Sequence, residues 1–366
     1  MAETEAMHDT DPLAVIATEK PNFSDDDAIE FIRRHYDLDV AVKPLLSERD
    51  QNFQLSATDG QQYVLKIANA GEDPKVADFH NKALLHLQRF GERHKDHVNA
   101  PEVLLTNDGA THFTIEFADG QHIARVVSFL AGTPLADRLP SATLCRNMGI
   151  FLARLGRALE DFTHPASNHS LLWDMQQASA VRKLLQYVPS QSLSVLVEQT
   201  VGEYEAVALP LFPTLRTQVI HNDLNPDNVL INPQNADEVV GVIDFGDMLR
   251  APLVIDVAIA ASYLRPLDGN PLALIAEFVA AYHSVVPLTR AEIDILFTLI
   301  KTRLATSIAI LYWRAAQQKK NDLYLANTLL SESSAEFFLQ RLAEIPRDNA
   351  LRTFRSVCAS VNCAKN

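Results

Sequence analysis

The chain has 366 residues, 47% hydrophobic and 21% charged, a balance that fits a folded globular protein and excludes a disordered one. At this length one core gives way to two lobes or domains. Lys and Arg number 32 against 46 Asp and Glu, a net charge of −14 that repels a phosphate backbone, excludes nucleic acid as the main partner and leaves room for a small cationic or zwitterionic ligand.

Residues 1–21 read as a flexible leader, acidic and without the apolar core of a secretory signal. Ser24 is an N-cap followed by acidic residues, and Ile29, Ile32 and Tyr36 continue at helical spacing. Residues 52–57 and 62–67 alternate like strands around the turn at 58–60. A helix is expected over 75–90, then strands over 103–106, 111–117 and 122–130. Beyond residue 131 the pattern predicts helices near 141–161, 171–187 and 192–208. Strand-like pieces follow in 217–243, then helices over 252–264, 271–284, 289–318, 322–344 and 347–359. The expected architecture is α+β, with a small β-rich N-lobe over 22–130 and a larger helical C-lobe over 131–366.

The three cysteines, Cys145, Cys358 and Cys363, have neither a disulfide framework nor zinc-ligand spacing, which suits reduced thiols in a cytosol. The most apolar stretch, 293–313, is broken by Asp294, Lys301 and Arg303, so no membrane span is expected and the protein is read as cytoplasmic.

The segment 221–247 carries the chemistry: His221-x-Asp223, then Asn228, then Asp244-Phe245-Gly246-Asp247. Two adjacent short strands would bring Asn228 and Asp244 to one end of a hairpin beside Asp223. An amide oxygen and carboxylates converging there make a hard-oxygen site suited to Mg²⁺, which keeps few protein ligands and takes the rest from water and phosphates. In phosphoryl transfer, Asp223 would accept the proton of the attacking hydroxyl, and Asn228 and Asp244 would hold the metal. Lys66, alone among apolar neighbours in Tyr63–Ile67, is placed to pair with nucleotide phosphates. The preceding loop, 47–53, has no Gly-rich motif; Ser47 and Asn52 are its candidate nucleotide contacts, backed by main-chain N–H groups.

These motifs resemble the aminoglycoside phosphotransferase/choline kinase-like superfamily over residues 22–345. Within it, the stretches at 47–53, 164–166, 171–175, 243–263, 303–307 and 321–333 are similar to hydroxylysine kinases and to the kinase portion of phosphotransferase–aminotransferase fusions. The resemblance implies a protein kinase-like two-lobe fold and transfer of the γ-phosphate of ATP or GTP, with Mg²⁺, to the hydroxyl of an amino alcohol or hydroxy amino acid. Homoserine, choline, ethanolamine and aminoglycosides stay open as acceptors, a nucleotide-binding pseudokinase scaffold is the alternative of another class, and a homodimer is left open. The resemblance also implies that His221 shores up the catalytic loop. Asp256, a carboxylate in an apolar helix, is expected to accept loop amide N–H groups. Asp247 either helps the metal or caps the turn. Arg303, Trp173 and Tyr263 are candidates for the acceptor pocket, Arg303 because an amino acid carboxylate needs a cation. The helix position where kinases carry a Glu for the strand lysine falls near His80, so a polar hydrogen bond is expected to orient Lys66.

Overall fold

The computed structural model describes residues 20–47, 49–94, 98–118, 120–136, 138, 140–317 and 334–363. Most of the expected leader, and the segment 318–333 that begins the helix expected over 322–344, lie outside the described residues. The chain divides into two compact units, the first formed by Met1–Lys82, Pro101–Phe129 and His164–Asp174 and the second by the rest. The sequence suggested one cut near 130; the units instead interleave, with 83–100 clustering in the second and 164–174 in the first.

The first unit opens with helix α1 (Asp25–Tyr36), started by a capping box in which Ser24 and Asp27 satisfy each other's backbone N–H. Its buried stripe is Ala28, Ile32 and Tyr36, so Ile32 and Tyr36 face inward as the spacing suggested and Ala28 stands there in place of Ile29. Strands β1 (Val40–Leu45), β2 (Gln51–Ala57), β3 (Gln62–Ile67), β4 (Val103–Leu104), β5 (Phe113–Phe117) and β6 (Gly120–Ser128) form one sheet in the order β1-β2-β3-β6-β4, with β5 also on β6. Every pairing is antiparallel. The strand β1 escaped the sequence reading because it is an edge strand carrying Lys43 and Pro44, residues that blunt a strand signal.

Alternation sorts the sheet into two faces. Phe53, Leu55, Leu65, Ile67, Ala124 and Val126 face one way and close a core with Phe23, Ala28, Ile32 and Tyr36 of the α1 segment. The opposite face carries, in register across three strands, Asn52, Lys66 and Arg125. Helix α2 (Pro74–Arg93) begins against this face, where Ala77 packs with Ala68 and Ile123.

The second unit is mostly helical. Helix α3 (Ala142–Ala158) packs on α6 (Ala273–Val285), and Gly149 permits the approach: a Cβ there would meet the Phe278 carbonyl closer than real Cβ contacts occur. The stretch expected as an α-helix over 171–187 is a kinked 3₁₀ run over Met175–Tyr187, before helix α4 (Gln191–Val207). Strands β7 (Thr133–Pro134), β8 (Thr217–Ile220), β9 (Val229–Asn232), β10 (Asn235–Val242) and β11 (Leu249–Pro252) form two small sheets, β10-β9-β7 and β11-β8. Helix α5 (Val254–Ser262) is wholly buried. Helix α7 (Arg290–Gln317) is long and apolar enough to cross a membrane, but 94% of its apolar window is buried inside the protein. It carries its charges inward: Lys301 pairs with Glu203 at 2.5 Å, and Glu292, fully buried, takes a two-pronged bond from Arg216. Residues 334–343 are helical, followed by α9 (Arg347–Cys363), so the element over 334–343 is named α8.

Candidate active site

The hairpin β9–β10 pairs Val229 with Val242, and the Ile243 N–H extends the ladder to the Asn228 carbonyl at 2.9 Å. That register puts Asn228 at the hairpin end from which Asp244 emerges, two residues past the strand rather than closing it. Asn222 (φ 65°) and Asp244 (φ 60°) both hold left-handed backbone, a strain of about 1–3 kcal/mol each that surrounding structure must sustain.

Asp256 fixes the first of these turns. Its Oδ1 accepts the Asn222 N–H at 2.8 Å and its Oδ2 the His221 N–H at 3.1 Å. Burial pushes the Asp256 carboxyl up to about 6, and the two N–H groups pull it down. His221 is fully buried. Its Nε2 donates to the Ile243 carbonyl at 3.1 Å, which leaves Nδ1 to accept the Asp223 N–H at 3.3 Å. The imidazole thus ties the loop of Asp223 to the strand that leads to Asp244, and Phe245 packs edge-on against the ring at 4.8 Å.

The Asp223 side chain is held between two amides. Asn225 Nδ2 reaches Oδ2 at 3.0 Å and Asn228 Nδ2 reaches it at 2.8 Å, with a further bond from Asn228 to the Asp223 carbonyl at 2.9 Å. The other oxygen, Oδ1, lies 3.5 Å from Arg303 Nη2, and the same nitrogen is 3.3 Å from the Tyr263 hydroxyl. Burial, Asp247 and Asp244 push the Asp223 carboxyl up to about 8, against the pull of Arg303 and Asn225. The sequence reading missed Asn225. Its signal was in plain view: Asn225 Oδ1 also accepts the N–H groups of Asp227 and Asn228, the Asx-turn habit of an Asn in a polar loop.

Among the described residues, no cluster of three or more His, Cys, Asp or Glu side chains is gathered to hold a metal by itself. The donors that fit a metal are the Asn228 amide oxygen, turned away from Asp223 because its nitrogen faces that residue, and the exposed Asp244 carboxylate. So small a set suits a hard cation that keeps waters and takes phosphate oxygens. The donor chemistry, one amide oxygen and one carboxylate brought to the same hairpin end, is the observation that fits such a cation.

The remaining candidates fall in the first unit. Lys66 on β3 stands between Asn52 and Arg125, and Asn52 Oδ1 is buried without a hydrogen-bond partner. The Ser47 carbonyl accepts from Lys20 at 2.7 Å; Glu48 beside it lies outside the described residues. At the position where an acid was sought, His80 is buried and burial keeps it neutral, with both ring nitrogens unpartnered. Asp78 is engaged elsewhere, with Lys82 at 2.7 Å and His164 at 3.1 Å. That ion pair and the stacking of His164 on Phe79 tie segment 164–174 into the first unit. Trp173 therefore belongs to the first unit, whereas Arg303 and Tyr263 meet in the second.

Residues 41–296 match the APH family, described as the phosphotransferase enzyme family. Hydroxylysine kinase of Danio rerio is 26% identical over 344 residues, covering 91% of this chain and 95% of that protein. Homoserine kinase of Paraburkholderia phymatum is 28% identical over 271 residues, covering 71% and 79%. A solved structure of an amicoumacin kinase in complex with AMP-PNP, Ca²⁺ and Ami superposes with a TM-score of 0.63 at 16% identity, covering 86% of this chain and 94% of that one. The fold, a β-sheet N-terminal region and a helical C-terminal region, is kinase-like.

Proposed function

The chain belongs to the phosphotransferase enzyme family, and on that premise we propose that it moves the γ-phosphate of ATP or GTP to the hydroxyl of an amino alcohol or hydroxy amino acid, with hydroxylysine-like compounds as the preferred acceptors. The observation that carries this reading is the Asp223 carboxylate, with Oδ2 occupied by two amides and Oδ1 turned toward a buried arginine. Oδ1 is then the atom that takes the hydroxyl proton. Burial and neighbouring carboxylates raise its basicity, which is what a general base working near neutral pH needs. Asn225 and Asn228 fix the carboxylate plane, and His221 and Asp256 fix the backbone beneath it. Asn228 and Asp244 would hold Mg²⁺, which when bound neutralises charge on the phosphates. Lys66 grips the phosphates from β3, with Asn52 and the main chain near Ser47 as further contacts.

Arg303 is 3% exposed and sits beside both Asp223 and the Tyr263 hydroxyl. An acceptor whose hydroxyl reached Asp223 Oδ1 would meet the guanidinium with its carboxylate, which favours an amino acid over a simple amino alcohol. The homoserine kinase likeness supports homoserine as the second acceptor.

A nucleotide-coupled assay over hydroxylysine, homoserine, ethanolamine, choline and an aminoglycoside tests this. Hydroxylysine is expected to give the highest kcat/KM, and Arg303→Met to raise KM for the two amino acids while barely changing it for ethanolamine. Nucleotide binding without turnover of any acceptor would contradict the reading and favour a scaffold.

A further inference from the structure

The Asp223 oxygen that an acceptor hydroxyl must reach is the one that faces an arginine. Asn225 and Asn228 hold Oδ2 at 3.0 and 2.8 Å, whereas Oδ1 has Arg303 Nη2 at 3.5 Å. A fully made guanidinium–carboxylate bond closes to about 2.7–2.9 Å, so the pair at Oδ1 is loose while the amide bonds at Oδ2 are firm. Arg303 is buried, and a buried charge is costly unless another group answers it. Asp223 answers it here with the oxygen that catalysis needs.

One helix governs both ends of this contact. α5 carries Asp256, whose carboxylate fixes the loop of Asp223. Tyr263 follows the last residue of α5, with its N–H bonded back to the Ala260 carbonyl at 3.3 Å. The Tyr263 hydroxyl stands 3.3 Å from the same Arg303 Nη2 that faces Asp223. Arg265 covers the Tyr263 ring, 4.9 Å from its centre, and is itself tied to the Ser262 carbonyl at 2.7 Å and to Ser334 Oγ at 3.1 Å. The tyrosine hydroxyl is therefore a fixed post. Arg303 reaches in from α7 on a stem with several rotatable bonds, so its guanidinium can turn from one anion to another beside that post.

In hydroxylysine and homoserine the carboxylate lies several bonds from the hydroxyl. Once the hydroxyl sits within about 2.6–3.2 Å of Oδ1, the carboxylate is held away from Asp223 and draws the guanidinium with it. We propose that Arg303 is a specificity-determining residue which pairs with Asp223 Oδ1 while the acceptor site is empty and passes to the carboxylate of the acceptor when it binds. An acceptor with a carboxylate thereby clears the base for its own hydroxyl. Tyr263 is the positioning residue that keeps the guanidinium within reach of both anions. The proposal rests on the kinase reading above and deepens it, because the carboxylate then acts on turnover and not on affinity alone. In the step itself the hydroxyl oxygen bonds to the γ-phosphorus and its proton passes to Oδ1. The bond from that phosphorus to the bridging oxygen breaks, and its electron pair stays on the nucleoside diphosphate. An acceptor without a carboxylate, or a water molecule, finds Oδ1 still covered.

Steady-state kinetics of the full chain on two matched acceptor pairs test the proposal: hydroxylysine against its decarboxylated diamine, and homoserine against its decarboxylated amino alcohol. Each pair differs by the carboxylate alone. In the wild-type chain the carboxylate is expected to raise kcat about tenfold or more, besides lowering KM. In Arg303→Met the two kcat values of a pair should converge to within about twofold, because no guanidinium is left for the carboxylate to remove. The ratio within a pair cancels any general effect of the substitution on the base. Tyr263→Phe keeps the guanidinium but loses its post, and should shrink the wild-type ratio by about threefold or more. A carboxylate effect confined to KM, or a kcat ratio that survives Arg303→Met, overturns the proposal. If Arg303→Met does not fold, an unchanged ratio in Tyr263→Phe overturns it instead. Nucleotide binding with turnover of none of the four acceptors removes the kinase reading and this proposal together, whereas turnover with equal kcat across each pair removes only the latter.

Discussion

The first-unit sheet sets Lys66 in register between Asn52 and Arg125, whereas the second unit gathers Asp244, Asp247 and Arg303 about the Asp223 carboxylate. In the proposed reading the first row meets an anionic phosphate chain and the second group a divalent cation. The supporting structure differs as well. The cations ride on strands in register, where the ladder fixes their spacing. The carboxylates ride on turns, two of whose residues hold left-handed backbone that Asp256 and His221 stabilise from below.

The sharpest break of this comparison is Asp223→Asn. The amide keeps the size of the side chain but cannot take a proton, so turnover should fall by about 10²–10⁴-fold while nucleotide affinity stays near wild type. Steady-state kinetics beside a nucleotide titration separate the two, and comparable losses in both would mean that Asp223 binds rather than catalyses.

Asp256→Ala attacks the support instead of the charge. It strands the buried N–H groups of His221 and Asn222, and chemical denaturation should show a loss of about 2–4 kcal/mol. A loss well below that range would mean that the loop keeps its shape without the carboxylate.

Asp247→Asn gives the smallest effect and the most specific. Burial raises the Asp223 carboxyl first, and Asp247 is the strongest of the charges that raise it further. A base works unprotonated, so kcat/KM should fall as pH drops, from a pH above the ordinary Asp range. Removing the repulsion lowers the Asp223 pKa, so in Asp247→Asn the acid limb should move to lower pH. An unmoved limb would assign Asp247 to capping the turn.

Local patterns made much of this legible. The strand at 62–67 was read to the residue because Leu65 and Ile67 alternate with Lys66, and the order of His221, Asp223, Asn228 and Asp244 pointed to one hairpin end before any geometry was known. What stayed hidden depends on distant partners. Arg125 sits in an apolar run, and only strand pairing sets it opposite Lys66. Trp173 sits amid predicted helix, but the ion pair of His164 with Asp78 draws its segment into the first unit. The 3₁₀ run over Met175–Tyr187 has apolar spacing that does not distinguish it from an α-helix.

Phosphorus-31 NMR of the full chain with Mg²⁺, ATP or GTP, and hydroxylysine tests the central claim most directly. The account predicts a phosphomonoester resonance on the acceptor that grows as the γ-phosphate signal falls, and one that grows at least about a hundredfold more slowly with Asp223→Asn. Release of inorganic phosphate alone, or the same monoester at the same rate from Asp223→Asn, would contradict it.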